Sequence, residues 1–165
     1  MNEQLHTKYI ELAFYQEKYR ETLENFYLTD EQLKFTATPA LALHMCESDK
    51  DRHPIVILTG NVASGFFVLH VGENISPFTS NPRAILLRAF SVNHEHQGKG
   101  YAKQTLRILP DFVKTHFREV DEIVLAVNEN NPYARTLYEK SGFIDKGLRR
   151  KVEKGEQIIM HYPFS

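Results

Sequence analysis

Apolar residues recur with two different periods along this chain, and each change of period marks the edge of an element. Tyr9 to Phe14 (YIELAF) reads as a short first strand, and QEKYRETLENFY then shifts to helical spacing, with Tyr19, Leu23, Phe26 and Tyr27 on one stripe. In LTDEQLKFTATP, Thr29 is placed to cap a short helix and Pro39 to open another. Pro54 to Leu58 (PIVIL) and Gly65 to Val71 (GFFVLHV) are β-branched and aromatic runs, and Gly60-Asn61 between them predicts an antiparallel hairpin. GENISPFTSNPR, with its two prolines, is a loop.

The second half alternates strand and helix. Ala84 to Val92 (AILLRAFSV) and Glu122 to Val127 (EIVLAV) are apolar on both faces, as buried strands are, and a helix from about Lys99 to Phe117 lies between them. That helix buries Ala102, Leu106, Leu109 and Val113, and Pro110 is expected to kink it. A strand, a helix and a strand of this kind favour a parallel pair with a right-handed crossover. A further helix begins at Asn131-Pro132 and stops at Ser141-Gly142, and FIDKGLRRKV and EQIIMHYPF close the chain as a hairpin around the turn from Glu153 to Glu156.

Composition narrows the classes. With 165 residues, 42% of them hydrophobic, the chain suits a single domain spanning 1–165. A formal net charge of -1 argues against a nucleic-acid-binding protein, because no global basic field is available. Cys46 is the sole cysteine, so an internal disulfide framework and a thiolate-rich metal site are excluded; it has no obvious activating partner and reads as structural. MNEQLHTKY lacks an apolar signal region and no apolar run approaches a membrane span, so the expected location is cytoplasmic, with no membrane partner.

The candidate chemistry sits at the carboxyl end of the first buried strand, where ligands of open α/β sheets collect. Gln97, Gly98, Lys99, Gly100, Tyr101 and Ala102 (QGKGYA) open the long helix, whose first amides lack carbonyl partners and share the positive end of the helix dipole. Glycines let a phosphate approach the main chain, and Gln97 and Lys99 add donors, so the turn suits a pyrophosphate. Taken alone, the same six residues also make an ordinary strand-to-helix turn.

In context the stretch FSVNHEHQGKGYAKQTL resembles the acetyl-coenzyme A signature of the GNAT superfamily of N-acetyltransferases, with Gln97, Gly98, Gly100 and Ala102 in the four defined positions of [QR]-G-x-G-x-[GA]. VNENNPYARTLYEKSGF is similar to the family's other motif through Asn131, Ala134, Tyr138, Lys140, Gly142 and Phe143. The motifs cover about residues 86 to 143, and the order of elements agrees over nearly the whole chain. The resemblance implies an α/β fold: a mixed, largely antiparallel sheet of about seven strands with a central splayed parallel pair, flanked by about four helices.

The resemblance also implies a site. Acetyl-CoA would be the co-substrate, with no metal. Its pantetheine arm would pair with the backbone of Phe90 and Val92, its pyrophosphate would lie on the amides from Gln97 to Ala102, and Asn131 would bond the pantetheine region or simply cap its helix. The Val92 amide would polarise the thioester carbonyl and Tyr138 would protonate the departing thiolate, although Tyr138 also fits a packing role beside Ala134 and Leu137. Some family members carry a glutamate base on the central strand, where AILLRAFSV offers only Arg88 and Ser91 as polar groups; a water chain or His70 takes its place.

Other features have plainer readings. His94-Glu95-His96 projects two histidines to one side of an extended segment, but no further ligand cluster supports a metal. Arg149 to Lys151 read as a solvated strand edge. Asp30 and Glu31 would attract a cationic amine, or equally belong to a helix's first turn. The expected reaction is acetyl transfer to a primary amine of a small molecule, in an acceptor pocket formed by Phe26 to Pro39 and the loops near Pro77 and Gly155. A protein amino group is the alternative acceptor, a non-catalytic acyl-CoA sensor the alternative class, and a homodimer is left open.

Overall fold

The structure is a computed structural model describing residues 9–164. Residues 1–8, which contain most of the stretch read as lacking a signal region, lie outside the described residues. A single seven-stranded sheet runs through the rest, built from β1 (Ile10–Phe14), β2 (Arg52–Thr59), β3 (Val62–His70), β4 (Ala84–Val92), β5 (Glu122–Asn128), β6 (Ile144–Val152) and β7 (Gly155–Pro163). The strand order is β1-β2-β3-β4-β5-β7-β6, and only β4 and β5 are parallel. The closing hairpin therefore docks through its second strand, leaving β6 at the edge.

Among the described residues five α-helices flank the sheet: α1 (Arg20–Glu24), α2 (Asp30–Leu33), α3 (Pro39–Glu47), α4 (Tyr101–His116) and α5 (Pro132–Lys140). The long amphipathic stripe read from Gln16 onwards yields only a short 3₁₀ turn and the five residues of α1, with Leu23 alone fully buried among them. Thr29 and Gln32 form a reciprocal capping box on α2, and Thr38 caps α3 with Pro39 in its first turn. The helix α4 runs unbroken through the buried Pro110.

Strand alternation sends apolar side chains to both faces of the sheet. Ile55, Ile57, Phe67, Leu69, Ile85 and Leu87 pack with Leu106, Leu109 and Val113 of α4. Val56, Leu58, Phe66 and Val68 pack on the opposite face with Leu23 of α1 and with Ala42 and Leu43 of α3. Gly60-Asn61 is the two-residue turn between β2 and β3, with Gly60 at φ 64, as the dipeptide predicts. Among the described residues no helix is long and apolar enough to cross a membrane.

Gly65 on β3 marks a close approach between strands. A Cβ there would stand 2.6 Å from Ile57 Cδ1 and 3.1 Å from the Ser91 carbonyl oxygen, beside the position where Gly65 pairs with Val92. Ile57 is fully buried, and its Cβ, 3.2 Å away, yields less readily than its Cδ1. Gly65→Ala is therefore expected to destabilise the fold by about 1–3 kcal/mol, read from the midpoint of denaturant unfolding. An unchanged midpoint would show that the sheet yields at this point.

Candidate active site

The two parallel strands part company soon after they meet. Ala84, Ile85 and Leu86 pair with Glu122, Ile123 and Val124, and beyond Leu86 and Val124 the ladder ends although both strands continue, to Val92 and Asn128. The opposite side of each strand stays paired, β4 with β3 and β5 with β7, so a wedge-shaped gap opens inside an otherwise continuous sheet.

A bulge sets the geometry of β4 along this gap. Val68 pairs with Arg88 and Phe66 with Ser91, so β4 holds one residue more than β3, and Ala89 takes up the difference at φ 56. A left-handed alanine costs about 1–2 kcal/mol and persists only where its surroundings impose it. Ala89 packs with the α3-side core and Phe90 with the α4-side core, the Phe90 ring meeting Phe67 edge-on at 6.0 Å.

The end of β4 is tied down by polar contacts. The Asn93 amide donates to the Ser64 carbonyl on the β3 side, and strand alternation then turns the backbone groups of Val92 and Phe90 towards the gap. The Asn93 side chain accepts from the Tyr27 amide, and the His94 amide donates to the Tyr27 carbonyl, joining this corner to the loop before α2. His94–His96 form a 3₁₀ turn rather than an extended segment, with His94 edge-on to Tyr27. No group of three or more metal-ligating side chains comes together among the described residues.

The glycine-rich turn then presents its amides. Gly98 (φ 76) and Gly100 (φ 80) are both left-handed, a conformation in which side chains are strained, and nothing occupies the space beside Gly98. The amides of Gly98, Lys99, Gly100, Tyr101, Ala102 and Lys103 meet no acceptor among the described residues, and the first helical bond runs from the Gln104 amide to the Gly100 carbonyl. Gln97 is spent differently from the sequence expectation: its amide donates to His94, while its carboxamide donates to the Val92 carbonyl at 2.8 Å and accepts from Gln32 at 2.8 Å. It fastens the turn to β4 and α2, and the donors left over are those of Gly98 onwards.

Helix α5 carries Asn131 at its opening and Tyr138 in its last turn. Asn131 Oδ1 accepts from the Ala134 amide and caps the helix, as expected of that position. Tyr138 packs on the α4-side core with its ring 5.8 Å from Phe143, and its hydroxyl makes no hydrogen bond among the described residues. Burial pushes the phenol well above the ordinary tyrosine range.

His70 does not stand at the gap. It pairs with Leu86 in the closed part of the sheet, is fully buried, and has Arg88 Nη1 3.2 Å from Nδ1 and Asp49 Oδ2 3.4 Å from Nε2. Burial, together with the charges of Arg52 and Arg88, lowers its pKa, so it is neutral and accepts from Arg88 through Nδ1. Burial likewise pushes the Cys46 thiol up to about 11, in keeping with a structural cysteine.

On the α3 side of the gap lies a cleft of about 280 Å³, lined by Phe35, Arg52, Phe78, Arg88, Arg150 and Gln157 among others. Leu87, Ala89 and Ala126, just beyond the last paired register, also line it, so the cleft and the gap adjoin. The segments expected to shape an acceptor pocket do contribute, through Phe35 to Ala37, Phe78 and Gln157. Asp30 and Glu31 do not; they are exposed on α2, where Glu31 pairs with Lys34 at 3.1 Å. Arg150 also departs from expectation, lining the cleft instead of a solvated edge; its neighbour Arg149 pairs with Asp145.

A parallel pair that opens beside a turn of unsatisfied amides is an arrangement known sequences can be compared with directly. Residues 12–143 match the family model described as the acetyltransferase (GNAT) family. The chain belongs to the GNAT acetyltransferase family. It is accordingly an acyltransferase, a GNAT-type N-acetyltransferase with acetyl-CoA as acyl donor. It is 43% identical over 157 residues to an uncharacterized N-acetyltransferase, YbbJ, of Bacillus subtilis, covering 94% of this chain and 98% of that one. Two solved structures share the GNAT fold at low identity. One is the aminoglycoside acetyltransferase AAC(6')-Ib in complex with coenzyme A and kanamycin (TM-score 0.76, 17% identity, 94% and 95% of the two chains). The other is the spermidine N-acetyltransferase of Vibrio cholerae in complex with CoA and spermine (TM-score 0.66, 19% identity, 93% and 95%).

Proposed function

We propose that this GNAT domain, acting as one unit, transfers an acetyl group from acetyl-CoA to the primary amine of a small molecule, with Val92 and Tyr138 at the reacting atoms. The observation that carries the reading is the end of the β4–β5 ladder at Leu86 and Val124, which frees the backbone of Phe90 and the amide of Val92 beside a turn of unpaired amides. Those amides, with two left-handed glycines among them, fit a pyrophosphate at the positive end of α4.

When bound, acetyl-CoA supplies a thioester carbon to the attacking amine, so that a C–N bond forms, the C–S bond breaks and the amine's surplus proton is released. The Val92 N–H, aimed into the gap, stabilises charge developing on the carbonyl oxygen; a donor in such a position contributes about 2.7–4 kcal/mol elsewhere. Tyr138 holds its proton throughout the physiological range because burial penalises the phenolate, and it has no competing protein acceptor; it supplies that proton to the leaving sulfur. The surplus amine proton goes to water in the open cleft, since His70 is buried behind Arg88.

The size of the cleft favours a small acceptor over a folded protein's amino group, as about 280 Å³ lies at the lower end of small-ligand sites. Aminoglycoside and spermidine acetyltransferases of the same fold act on amines of that scale. The test is thiol release from acetyl-CoA across a panel of primary amines, with the N-acetylated product identified by mass. Amine-dependent thiol release with matching product is expected; tight acetyl-CoA binding without turnover of any amine would reduce the domain to a coenzyme-binding module.

A further inference from the structure

Acetyl transfer to an amine requires no cationic pocket, yet the cleft beside the gap is one. Three guanidinium groups line it, those of Arg52, Arg88 and Arg150, and none of the lining residues carries a carboxylate. Arg52 is balanced by Asp49, with Nε 3.3 Å from Oδ2. Arg88 and Arg150 have no acidic partner among the described residues. Arg88 Nη1 lies against the neutral His70, and Arg150 Nη1 donates to Gln157 Oε1 at 2.9 Å.

Both unbalanced groups are held in place. Their Cζ atoms lie 5.6 Å (Arg88) and 4.4 Å (Arg150) from the centre of the Phe78 ring, which orients each guanidinium by cation–π contact. Arg88 projects to this side by strand alternation, two residues after Leu86, which also lines the cleft. Burial, followed by the charges of Arg52 and Arg150, lowers the Arg88 pKa, a sign of crowded positive charge removed from water.

Partly desolvated cations are costly unless an anion meets them, and the fork of an arginine matches a carboxylate or phosphate with two parallel hydrogen bonds. Coenzyme A's phosphates are the obvious anions, but their seat is the turn before α4, and α4 packs on the other face of the sheet. We infer that the acceptor amine itself carries an oxyanion, a carboxylate or a phosphate, which Arg88 and Arg150 receive while the amino group faces the β4–β5 gap. The inference rests on the acetyltransferase reading and deepens it. It also sets this protein apart from enzymes whose acceptors are polycations, since a polyamine would bring more positive charge to three guanidiniums.

The experiment has a kinetic arm and a binding arm. In the first, kcat/KM is measured for matched amines with and without the oxyanion: α-amino acids against their carboxamides, aminoalkyl phosphates against the aminoalkyl alcohols, and a polyamine. A preference of about tenfold to a hundredfold for the charged member is expected, the size of one or two charge-assisted hydrogen bonds. The series with the larger preference identifies the oxyanion. Arg150→Gln, on the edge strand β6, should collapse the preference with the acetyl-CoA KM unchanged; Arg88→Gln on the central strand should do the same if it folds. Preference for the polyamine or the neutral members, or a rise confined to the acetyl-CoA KM, would overturn the inference.

In the second arm, N-acetyl amino acids and N-acetylaminoalkyl phosphates are tested for protection of the wild type and Arg150→Gln against thermal unfolding. Protection of the wild type that the variant loses supports the oxyanion site even if no amine turns over, in which case the acetyltransferase reading fails by itself. Turnover of neutral amines with no protection by any oxyanion sinks the site and leaves the acetyltransferase reading standing.

Discussion

Tyr138→Phe is expected to lower turnover by roughly 10²- to 10⁴-fold, the usual contribution of a positioned general acid. Folding should survive, because the ring keeps its contact with Phe143 and the hydroxyl makes no hydrogen bond among the described residues. The acetyl-CoA KM should change little, since the phenol is assigned to a step after binding. The pH profile gives a second check. Burial raises the phenol's pKa, so the protonated, donating form is the one present at and below the ordinary tyrosine value of 10.0. Tyr138 should therefore add no alkaline decline to the wild-type rate between about pH 6 and 9. A Tyr138→Phe variant with full activity would remove the residue from the chemistry and leave it a packing tyrosine.

The second large effect is expected at the glycine-rich turn. Gly98 and Gly100 are left-handed, and an added Cβ in that conformation costs about 1–2 kcal/mol even at Gly98, where space is open. Relieving that strain rotates the peptide groups and turns the unpaired amides away from a common point. The double variant Gly98→Ala/Gly100→Ala should thus raise the acetyl-CoA KM by about tenfold to a hundredfold, the loss of one charge-assisted hydrogen bond to phosphate. Kinetic competition with desulfo-coenzyme A would show the same weakening without turnover. Unchanged coenzyme affinity would mean that this turn only connects β4 to α4.

Much of this molecule is legible locally. The strand from Ala84 to Val92 carries the bounds that its apolar run suggests, Thr29 and Asn131 cap helices where their side chains allow it, and Gly60-Asn61 makes the hairpin it signals. These features depend on residues close in sequence, whose steric and hydrogen-bonding preferences act before any tertiary contact forms. The stripe after Gln16 misled because Tyr19 and Phe26 pack on the tertiary core from a short irregular segment while Tyr27 is exposed, and tertiary packing overrides helical spacing over so few residues.

The acceptor side was not legible in the same way. Arg88 and Arg150 are 62 positions apart in the chain, and each taken alone reads as an incidental polar residue of a strand. They meet over Phe78 because strand alternation turns Arg88 to the cleft side of β4 and Arg150, on the edge strand β6, reaches the same ring. His70, read as a candidate base from its place at a strand end, proves to be a buried neighbour of Arg88 because β3 and β4 pair in the register that sets His70 opposite Leu86.

The sequence by itself determined the family, the acyl donor and the turn that suits a pyrophosphate, because backbone amides and their glycines are specified by a short contiguous run. Only the tertiary structure decided where β4 and β5 part, how Gln97 is spent and which charges face the acceptor. Those properties arise from strand order and register, which bring together side chains that no local pattern relates.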